Sequence, residues 1–361
     1  MARKLTPVKV PAAEPAYFVV RLPTRTALAW PKANCAVVIT SVAIRHEASV
    51  NNEFTIFTGT ANPALAGTIA RELGTQVGAC VVDRYPDGDV AEQLLDSVRR
   101  KEVFLVQPTS PPVNDHLIEL LALADACRRA SAARITAIVP FFGYGRADKR
   151  NGRREPIMAR VAADLLQVAG ISNVVTVDLH TPQIEGFFHA PVDSLTAVPT
   201  LCRAVRDRVP ADLVVVSPDV GRVAMATRYA EQCVGASVVV LHKRHVSGSE
   251  TKVTHVVGDV SGRACLIVDD MISTGGTVAE SITALLAAGA RPEIIVVATH
   301  GLFVLDARTK LSHPAVREVF VTDTVSVAKQ NWPQLRVISI APLIAGAVQR
   351  FLANGALGES Y

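Results

Sequence analysis

An apolar run that ends in two adjacent carboxylates and a glycine turn is the feature that most constrains how this chain folds. The run Leu266–Val268 is followed by Asp269 and Asp270, and the turn Ser273–Thr277 then enters a helical pattern, Val278–Ala288. Strand, acidic pair, glycine turn and helix start therefore follow one another closely. This order predicts a cradle for a ribose phosphate at the carboxyl end of a strand.

Each residue type in this stretch suits an anionic sugar. Gly275 and Gly276 let backbone N–H groups converge on an anion without interference from a Cβ atom. Thr277 is predicted to cap the following helix, whose positive end faces the same anion. Asp269 and Asp270 only accept hydrogen bonds, so they suit either hydroxyl groups or a hard cation. An acidic pair or a Gly-Gly pair alone is common in solvated loops, but the whole string after an apolar strand is much more specific.

Composition indicates strands that are extensively buried. The 361 residues are 49% hydrophobic and 19% charged, which suits two domains whose strands are covered on both faces, as in parallel sheets. The net charge of +4 is too small to indicate a nucleic-acid partner. The six cysteines form no C-x-x-C pair, which favours free thiols in the reducing cytoplasm. No apolar run is long enough to span a membrane, so we expect no membrane partner.

From Phe54 onward, strand and helix patterns alternate, which predicts an α/β fold with mainly parallel sheets. We place the boundary near Asp193–Pro199 and expect one domain at 53–197 and a second at 198–341. Residues 1–52 are rich in Arg and Lys and poor in acids. They are predicted to be a poorly ordered extension, which is native, a targeting segment or a start-site artefact. The predicted strands are Phe54–Thr60, Val103–Gln107, Ile135–Pro140, Val174–Asp178, Leu213–Ser217, Ser237–Lys243, Lys252–Val257, Ala264–Val268, Ile294–Ala298, Val319–Thr322 and Val337–Ile340.

Four further polar strings follow predicted strands, beyond whose carboxyl ends ligands bind in α/β sheets. The loop Phe141–Arg150 carries Arg146 and other cations that suit a polyphosphate. His180 follows its strand closely and suits a metal or a phosphate, and Asp219 precedes a glycine and a helix start. Lys243–His245 lies at the base of a polar loop, where its three potential cations suit the negative charge of a transition state. Taken singly, each string also fits a solvated loop, a capped turn or a structural histidine.

Together these strings are similar in sequence, order and spacing to the ribose-phosphate diphosphokinase family, the phosphoribosyl pyrophosphate (PRPP) synthetases. The resemblance runs from Phe54 to Leu352. It includes Arg84–Asp89, where the family usually has Arg-Phe-Ser-Asp-Gly-Glu. It also includes Thr176–Phe188, which resembles the family's Thr-Val-Asp-Leu-His…Gln-Ile…Gly-Phe-Phe. Because every string matches, chance similarity is negligible.

The resemblance implies two tandem domains of the type I phosphoribosyltransferase kind, with a closing helix at 342–353 that returns to the first. It implies an enzyme of nucleotide biosynthesis that transfers the β,γ-diphosphoryl group of MgATP to the C1 hydroxyl of ribose 5-phosphate, giving PRPP and AMP. Positioning and charge neutralisation are expected to carry most of this catalysis. The implied cofactor is Mg²⁺. The implied assembly is a homo-oligomer, either a hexamer or another dimer-based form.

By matched position, the resemblance also assigns a role to each string. The catalytic residues would be Lys243, Arg244 and His245. ATP would contact Tyr85, Asp87, Gly88, Asp89, Arg146 and Ala147, and in the family the segment matched by 85–89 reaches the ATP of a neighbouring subunit. Ribose 5-phosphate would contact Asp269, Asp270, Ser273, Thr274, Gly275, Gly276 and Thr277. The metal would bind His180 and Asp219.

Five positions depart from the family's pattern. His245 replaces an arginine, and Arg222 replaces a glycine. Ser273 stands where most bacterial members have aspartate, Ala147 replaces a glutamine, and Asp89 is one methylene shorter than the usual glutamate. The matched lysine, metal positions and glycine cradle are kept. The departures therefore bear on ATP affinity and turnover more than on the type of reaction.

Two alternatives remain at this level. The first is a catalytically impaired regulatory subunit associated with PRPP synthetase. The retained Lys243, His180 and Asp219 argue against it, whereas the changed His245 argues weakly for it. The second is a phosphoribosyltransferase that consumes PRPP, but a single such domain needs only roughly half this length and would not carry the ATP strings.

Overall fold

The computed structural model describes residues 54–353, with gaps at 151, 234, 248–249 and 328–331. For 243–247 and 250–254 it describes the backbone but not the side chains. The predicted extension at 1–52 lies outside the described residues. The described residues all belong to one compact unit. In the described part of the chain, no helix is both long enough and apolar enough to cross a membrane.

The first half of the described chain forms a five-stranded parallel sheet and a separate hairpin. Its elements are β1 (Phe54–Thr58), α1 (Pro63–Glu72), β2 (Cys80–Arg84), β3 (Val90–Leu94), β4 (Glu102–Val106), α2 (Val113–Arg129), β5 (Arg134–Val139), α3 (Met158–Val168), β6 (Asn173–Val177) and β7 (Val192–Leu195). The sheet order is β1-β4-β5-β6-β7, with every neighbouring pair parallel. Strands β2 and β3 pair with each other in antiparallel fashion.

The second half forms a seven-stranded sheet. Its elements are α4 (Val198–Val205), β8 (Val214–Ser217), α5 (Val223–Cys233), β9 (Ser237–Ser247), β10 (Glu250–Val257), β11 (Cys265–Ile272), α6 (Gly276–Ala287), β12 (Ile294–Gly301), α7 (Ala307–Leu311), β13 (Val316–Thr322), β14 (Leu335–Ile338) and α8 (Ala341–Leu352). The order is β10-β9-β8-β11-β12-β13-β14, and among the described strands of this sheet only the edge pair β10–β9 is antiparallel. The predicted α/β fold with mainly parallel sheets is confirmed.

The sequence explains where α1 begins and why β12 is buried. The Asn62 side chain accepts a hydrogen bond from the Leu65 N–H at 3.2 Å, and Pro63 occupies the first turn, so Asn62 caps α1. All eight residues of β12 are buried, as expected for a central parallel strand covered on both faces. Strand β11 continues through the acidic pair to Ile272, beyond its predicted end at Val268, and pairs with β12 over this length.

Four elements were not predicted from sequence. The hairpin strands β2 and β3 are largely exposed or half-buried, so they lack the apolar runs that mark the central strands. Strand β7 is four residues long and contains Asp193 and Ser194; it falls within the segment expected to be a domain boundary. Helix α7 is a five-residue helix, too short for a clear helical period.

The two sheets share one continuous core cluster. It includes Ile56 and Phe104 from the first sheet, Leu266 and Phe320 from the second, and Ile344 from α8. Helix α8 packs against α1, and the Phe351 ring meets Phe104 edge to face at 6.0 Å. The closing helix thus contacts the first half of the chain, while the division into domains at 197/198 stays a prediction.

Candidate active site

A polar cleft of about 580 Å³, which includes space open to solvent, lies at the carboxyl ends of the strands. It joins the turn after β5, the segment after β6, the turn after β8 and the end of β11. Its lining residues are Arg146, His180, Asp219, Arg222 and 269–278. The structure therefore brings together four of the five predicted strings.

The glycine turn ends at a helix N-terminus that has no side-chain cap. Gly275 is the N-cap of α6, with a left-handed φ of +71°, and no side chain bonds to the first turn. Thr277 therefore does not cap the helix, and that prediction was wrong. The helix begins at Gly276, one residue before Thr277, so the threonine lies inside the first turn. Because the first backbone N–H groups of a helix have no intrahelical acceptors, the N-terminus of α6 offers donors to an anion.

Two contacts from outside the cleft fix the orientation of the turn's peptides. The Val304 N–H donates to the Ser273 carbonyl at 3.0 Å, and Lys310 Nζ donates to the Thr274 carbonyl at 3.2 Å. In a trans peptide the C=O and the following N–H point in opposite directions. The N–H groups of Thr274 and Gly275 therefore face away from these contacts, towards the cleft that both residues line. Sequence reasoning missed Lys310, which lies 36 positions from Thr274.

The acidic pair is buried and electrostatically asymmetric. Asp269 and Asp270 are only 7% and 2% exposed, and the Asp270 N–H donates to Asp269 Oδ1 at 2.9 Å. Burial and the charge of Asp270 raise the pKa of Asp269 well above its usual range. Burial alone would raise the pKa of Asp270, but its hydrogen bond with His180 and the charge of Arg222 outweigh this and lower it to about 2. The pair therefore carries its charge mainly on Asp270.

His180 faces the acidic pair across the cleft. Its Nδ1 lies 2.7 Å from Asp270 Oδ2, and this short contact joins the segment after β6 to the end of β11. The same Nδ1 atom also lies 2.7 Å from Arg222 Nη2, so it is engaged from two sides. The predicted metal ligand is thus already engaged with a predicted ribose ligand.

Arg222 enters the same cluster, and sequence reasoning assigned it no role. Its Nε lies 3.4 Å from Asp269 Oδ1 and its Nη2 lies 3.3 Å from Asp270 Oδ2. Nη1 donates to the His180 carbonyl at 2.8 Å, and Nη2 lies 2.7 and 3.3 Å from the two ring nitrogens of His180. The only signal in the sequence was that the family resemblance leads one to expect a glycine at this position.

The loop of Arg146 is tied to the segment that carries His180. Buried Asp148 accepts hydrogen bonds from Thr181 Oγ1 at 2.7 Å and Gln183 Nε2 at 3.0 Å. Arg146 itself is exposed and lines the cleft. Ala147 follows it in the same turn and has no polar side-chain atom with which to contact a nucleotide.

The predicted adenine segment lies at the tip of the β2–β3 hairpin. The Tyr85 N–H bonds the Asp89 carbonyl at 2.8 Å, the Gly88 N–H bonds the Tyr85 carbonyl at 2.9 Å, and Gly88 has a φ of +98°. The Asp89 N–H donates to Asp87 Oδ1 at 3.3 Å, and the Tyr85 side chain is 59% exposed. None of these four residues lines the cleft, so the described chain does not bring them together with Arg146.

The predicted catalytic residues lie on β9, beyond the end of its parallel neighbour. Ser217 at the end of β8 pairs with Val240, so Lys243–His245 extend past the strand whose next turn carries Asp219. Their backbones pair with Val253, Lys252 and Thr251 of β10. The side chains of Lys243, Arg244 and His245 lie outside the described residues, and their roles stay predictions.

Asp219 lines the cleft beside Arg222 and is half-buried. Throughout the described chain, no group of three or more His, Cys, Asp or Glu side chains is arranged to hold a metal ion. The prediction of a metal at His180 and Asp219 therefore stays a prediction.

A mainly parallel sheet with a buried acidic pair near the end of a central strand, followed by a glycine turn at a helix N-terminus, is the arrangement expected of a phosphoribosyl-binding α/β protein. Comparisons with known proteins narrow this class. The family model for the N-terminal domain of ribose phosphate pyrophosphokinase matches residues 54–170. The model for the phosphoribosyl synthetase-associated domain matches residues 240–361.

Individual relatives agree with these models. Ribose-phosphate pyrophosphokinase from Gloeobacter violaceus is 42% identical over 307 residues, which are 85% of this chain and 92% of the relative. Ribose-phosphate pyrophosphokinase 1 from Spinacia oleracea is 43% identical over 310 residues, 84% of this chain and 92% of the relative. The crystal structure of phosphoribosylpyrophosphate synthetase from Mycobacterium smegmatis matches with a TM-score of 0.78 and 41% identity, covering 84% of this chain and 99% of that chain. The chain therefore belongs to the ribose-phosphate pyrophosphokinase family, and the predicted family and tandem fold are confirmed.

Proposed function

We propose that this chain is a ribose-phosphate diphosphokinase, which converts MgATP and ribose 5-phosphate into PRPP and AMP. The observation that carries the proposal is the cleft in which the uncapped N-terminus of α6, the acidic pair and Arg146 converge. The first two suit a sugar phosphate, and the third suits the phosphates of a nucleotide. Membership of the pyrophosphokinase family supports the same reaction.

The 5-phosphate of the sugar would bind the turn 273–277. The inward N–H groups of Thr274 and Gly275, together with the free donors of α6, supply hydrogen bonds and a positive helix end. The hydroxyls of Ser273, Thr274 and Thr277 are further donors. Asp270, which carries the pair's charge, would accept from a ribose hydroxyl and so orient C1.

The nucleotide would bind on the side of Arg146, whose guanidinium suits phosphate oxygens. The hairpin residues Tyr85, Asp87, Gly88 and Asp89 would contact the adenine of a neighbouring copy of the chain, which accounts for their position at an exposed tip outside the cleft. The complete site then requires a homo-oligomer, a hexamer or another dimer-based assembly.

Transfer would proceed by attack of the C1 hydroxyl on the β-phosphorus of ATP. A new C1–O–Pβ bond forms, the bond between Pβ and the oxygen bridging to Pα breaks, AMP leaves and the hydroxyl proton is released. Lys243, with Arg244 and His245, would neutralise charge on the transferring group from the strand pair β9–β10. Catalysis of this kind is positioning and electrostatic stabilisation.

Mg²⁺ enters the proposal as part of MgATP, where it neutralises phosphate charge. The pair His180 and Asp219 does not fit an additional Mg²⁺ while the Arg222 guanidinium lies against both ring nitrogens of His180. A metal at this pair requires that Arg222 first move away.

A direct assay tests the proposal. Purified chain is incubated with MgATP and ribose 5-phosphate, and AMP and PRPP are followed by chromatography and ³¹P NMR. We expect equal amounts of both products. Lys243→Ala should lower turnover about 10²–10³-fold, the typical effect of losing one electrostatic contact to the transition state, whereas Lys101→Ala, on the turn before β4, should not. Folded protein that forms no PRPP would overturn the proposal and favour the regulatory-subunit alternative.

A further inference from the structure

The Arg222 side chain is held in the cleft by several polar contacts. It lies in the turn between β8 and α5, and its side chain is 14% exposed. All three of its guanidinium nitrogens are engaged, with both carboxylates of the acidic pair and with His180. A planar fork of donors suits such a set of acceptors better than a single ammonium group does.

The acidic pair needs a compensating cation. Two adjacent carboxylates with little exposure repel each other and lose hydration, which is unfavourable unless a positive charge lies close by. Among the residues that line the cleft, Arg222 is the cation in contact with both carboxylates, because Arg146 makes no ion pair with either. The chain therefore supplies the charge that a bound divalent ion would otherwise supply.

Arg222 and a divalent ion compete for the same acceptors. His180 Nδ1 lies 2.7 Å from both Asp270 Oδ2 and Arg222 Nη2, so Nε2 is the ring nitrogen left to ligate a metal, and Arg222 Nη2 lies 3.3 Å from that atom as well. Metal–ligand bonds to nitrogen are about 2.0–2.2 Å long, so a metal on Nε2 would lie within about 5.5 Å of the guanidinium. Like charges this close, among side chains with little exposure, repel each other.

We propose that Arg222 is the resident cation of this cleft: its guanidinium occupies the acceptors of His180, Asp269 and Asp270 and excludes a free divalent metal from them. The acidic pair is then kept charged and oriented for a sugar hydroxyl without a metal. An arginine at this position thereby makes the cleft selective against divalent ions.

Equilibrium binding of Mn²⁺ to the intact protein, without nucleotide or sugar phosphate, tests this. Free Mn²⁺ is measured by electron paramagnetic resonance during titration of the wild type, Arg222→Gly and Arg222→Gln. Both variants remove the charge, and the glutamine retains a polar side chain in case the glycine variant does not fold. Arg228→Ala is the matched control, since Arg228 is an exposed arginine on α5 outside the cleft.

We expect each Arg222 variant to gain one Mn²⁺ site per chain, bound at least about tenfold more tightly than by the wild type, and Arg228→Ala to behave as the wild type. Adding His180→Ala to either variant should remove the new site. Equal Mn²⁺ binding by the wild type and both variants would overturn the proposal. A wild-type Mn²⁺ site that is lost in His180→Ala would overturn it as well. Because no substrate is present, these outcomes do not depend on whether the chain makes PRPP.

Discussion

Thr299 Oγ1 donates a hydrogen bond to Asp178 Oδ2 at 2.6 Å, and this bond joins β12 of the second sheet to the end of β6 in the first. The same carboxylate oxygen accepts from the Ala197 N–H at 3.0 Å, and the Asp178 carbonyl lies 3.2 Å from His300 Nε2. Asp178 has a left-handed φ of +40°, which is uncommon for a residue other than glycine. These contacts fix the backbone two residues before His180 and so set the contact of that ring with Asp270.

We predict that Thr299→Val will destabilise the fold by about 1–3 kcal/mol, because a buried carboxylate loses a donor. It should also lower kcat, since His180 and Asp270 are no longer held in register across the cleft. Denaturant unfolding and steady-state kinetics measure both effects.

Thr136→Val is the matched control for this change. Within the described chain, the buried Thr136 hydroxyl has no hydrogen-bond partner, so replacing it by a methyl group should leave stability unchanged or raise it. If the two valine variants were equally stable, the bond between the sheets would not have the importance assigned to it.

Glu92, in the middle of β3, is expected to make the stability of the fold depend on pH. Burial and the nearby charge of Glu119 raise its pKa to about 8, despite the opposing charge of Arg84, and its carboxylate oxygens have no hydrogen-bond partner in the described chain. A raised carboxyl pKa means that the protonated form is favoured on folding. This stabilisation is therefore complete below about pH 4.5 and is lost as the pH rises to about 8.

We expect Glu92→Gln, which stays neutral, to match the wild type near pH 4.5 and to exceed its stability by about 1–2 kcal/mol at pH 9, after allowance for partial solvent screening. Urea midpoints from pH 4.5 to 9 measure the difference. The exposed Glu231→Gln should show no such divergence. Parallel wild-type and Glu92→Gln curves would mean that Glu92 is ionised throughout the range in the folded protein.

The elements and strings that sequence reasoning identified are those whose signal is local. The strand β12 is a continuous apolar run because it is buried on both faces, and the ribose-phosphate string places strand end, carboxylates and glycines within one short segment. The same local reasoning gave the wrong cap for α6. A threonine in the first turn is a common cap, but the left-handed Gly275 fixes the start one residue earlier.

The contacts that assemble the site from separate strings are not local. Thr299 lies 121 positions from Asp178, and Arg222 lies 42 positions from His180. No spacing rule relates such residues, because the parallel sheets bring them together through long crossovers. The hairpin escaped detection for a different reason, since its half-exposed strands have little apolar periodicity.

We predict that removing the Lys310 amine weakens the binding of ribose 5-phosphate but not that of ATP. Lys310→Met keeps the length of the side chain but removes the donor that holds the Thr274 carbonyl out of the cleft. Loss of one partly exposed hydrogen bond from a charged group corresponds to about 1 kcal/mol, which is about fivefold in affinity. We therefore expect the KM for ribose 5-phosphate to rise about fivefold while the KM for ATP is unchanged.

The ion pair of Lys310 with Asp306, at 2.9 Å, provides a control for that experiment. Asp306→Asn removes the charge pairing but leaves Lys310 able to reach Thr274. Exposed ion pairs contribute little, so this variant should retain wild-type KM values. If Asp306→Asn and Lys310→Met had the same effect, the ion pair rather than the carbonyl contact would be responsible.

Alanine substitution at the two glycines of the turn should affect the stability of the fold differently. At Gly275, an added Cβ would lie 2.5 Å from Leu311 Cδ1 and 3.3 Å from Ala307 Cα, and the φ of +71° is unfavourable for alanine. Gly275→Ala should therefore lower stability by about 1–3 kcal/mol. At Gly276, the nearest atom to an added Cβ would be Thr274 Oγ1, at 3.6 Å, which is an ordinary contact. Gly276→Ala should fold with undiminished stability.

Gly276→Ala should weaken the binding of ribose 5-phosphate although it leaves the stability of the fold undiminished. Gly276 lines the cleft and begins α6, so a methyl group there obstructs an anion that approaches the helix N-terminus. We expect Gly276→Ala to weaken ribose 5-phosphate binding at least about tenfold, a loss of about 1.4 kcal/mol, measured by calorimetry beside thermal unfolding. Gly67→Ala, in α1 with open space around the added carbon, should bind as the wild type does. Wild-type affinity in a folded Gly276→Ala protein would show that the sugar phosphate does not contact this turn.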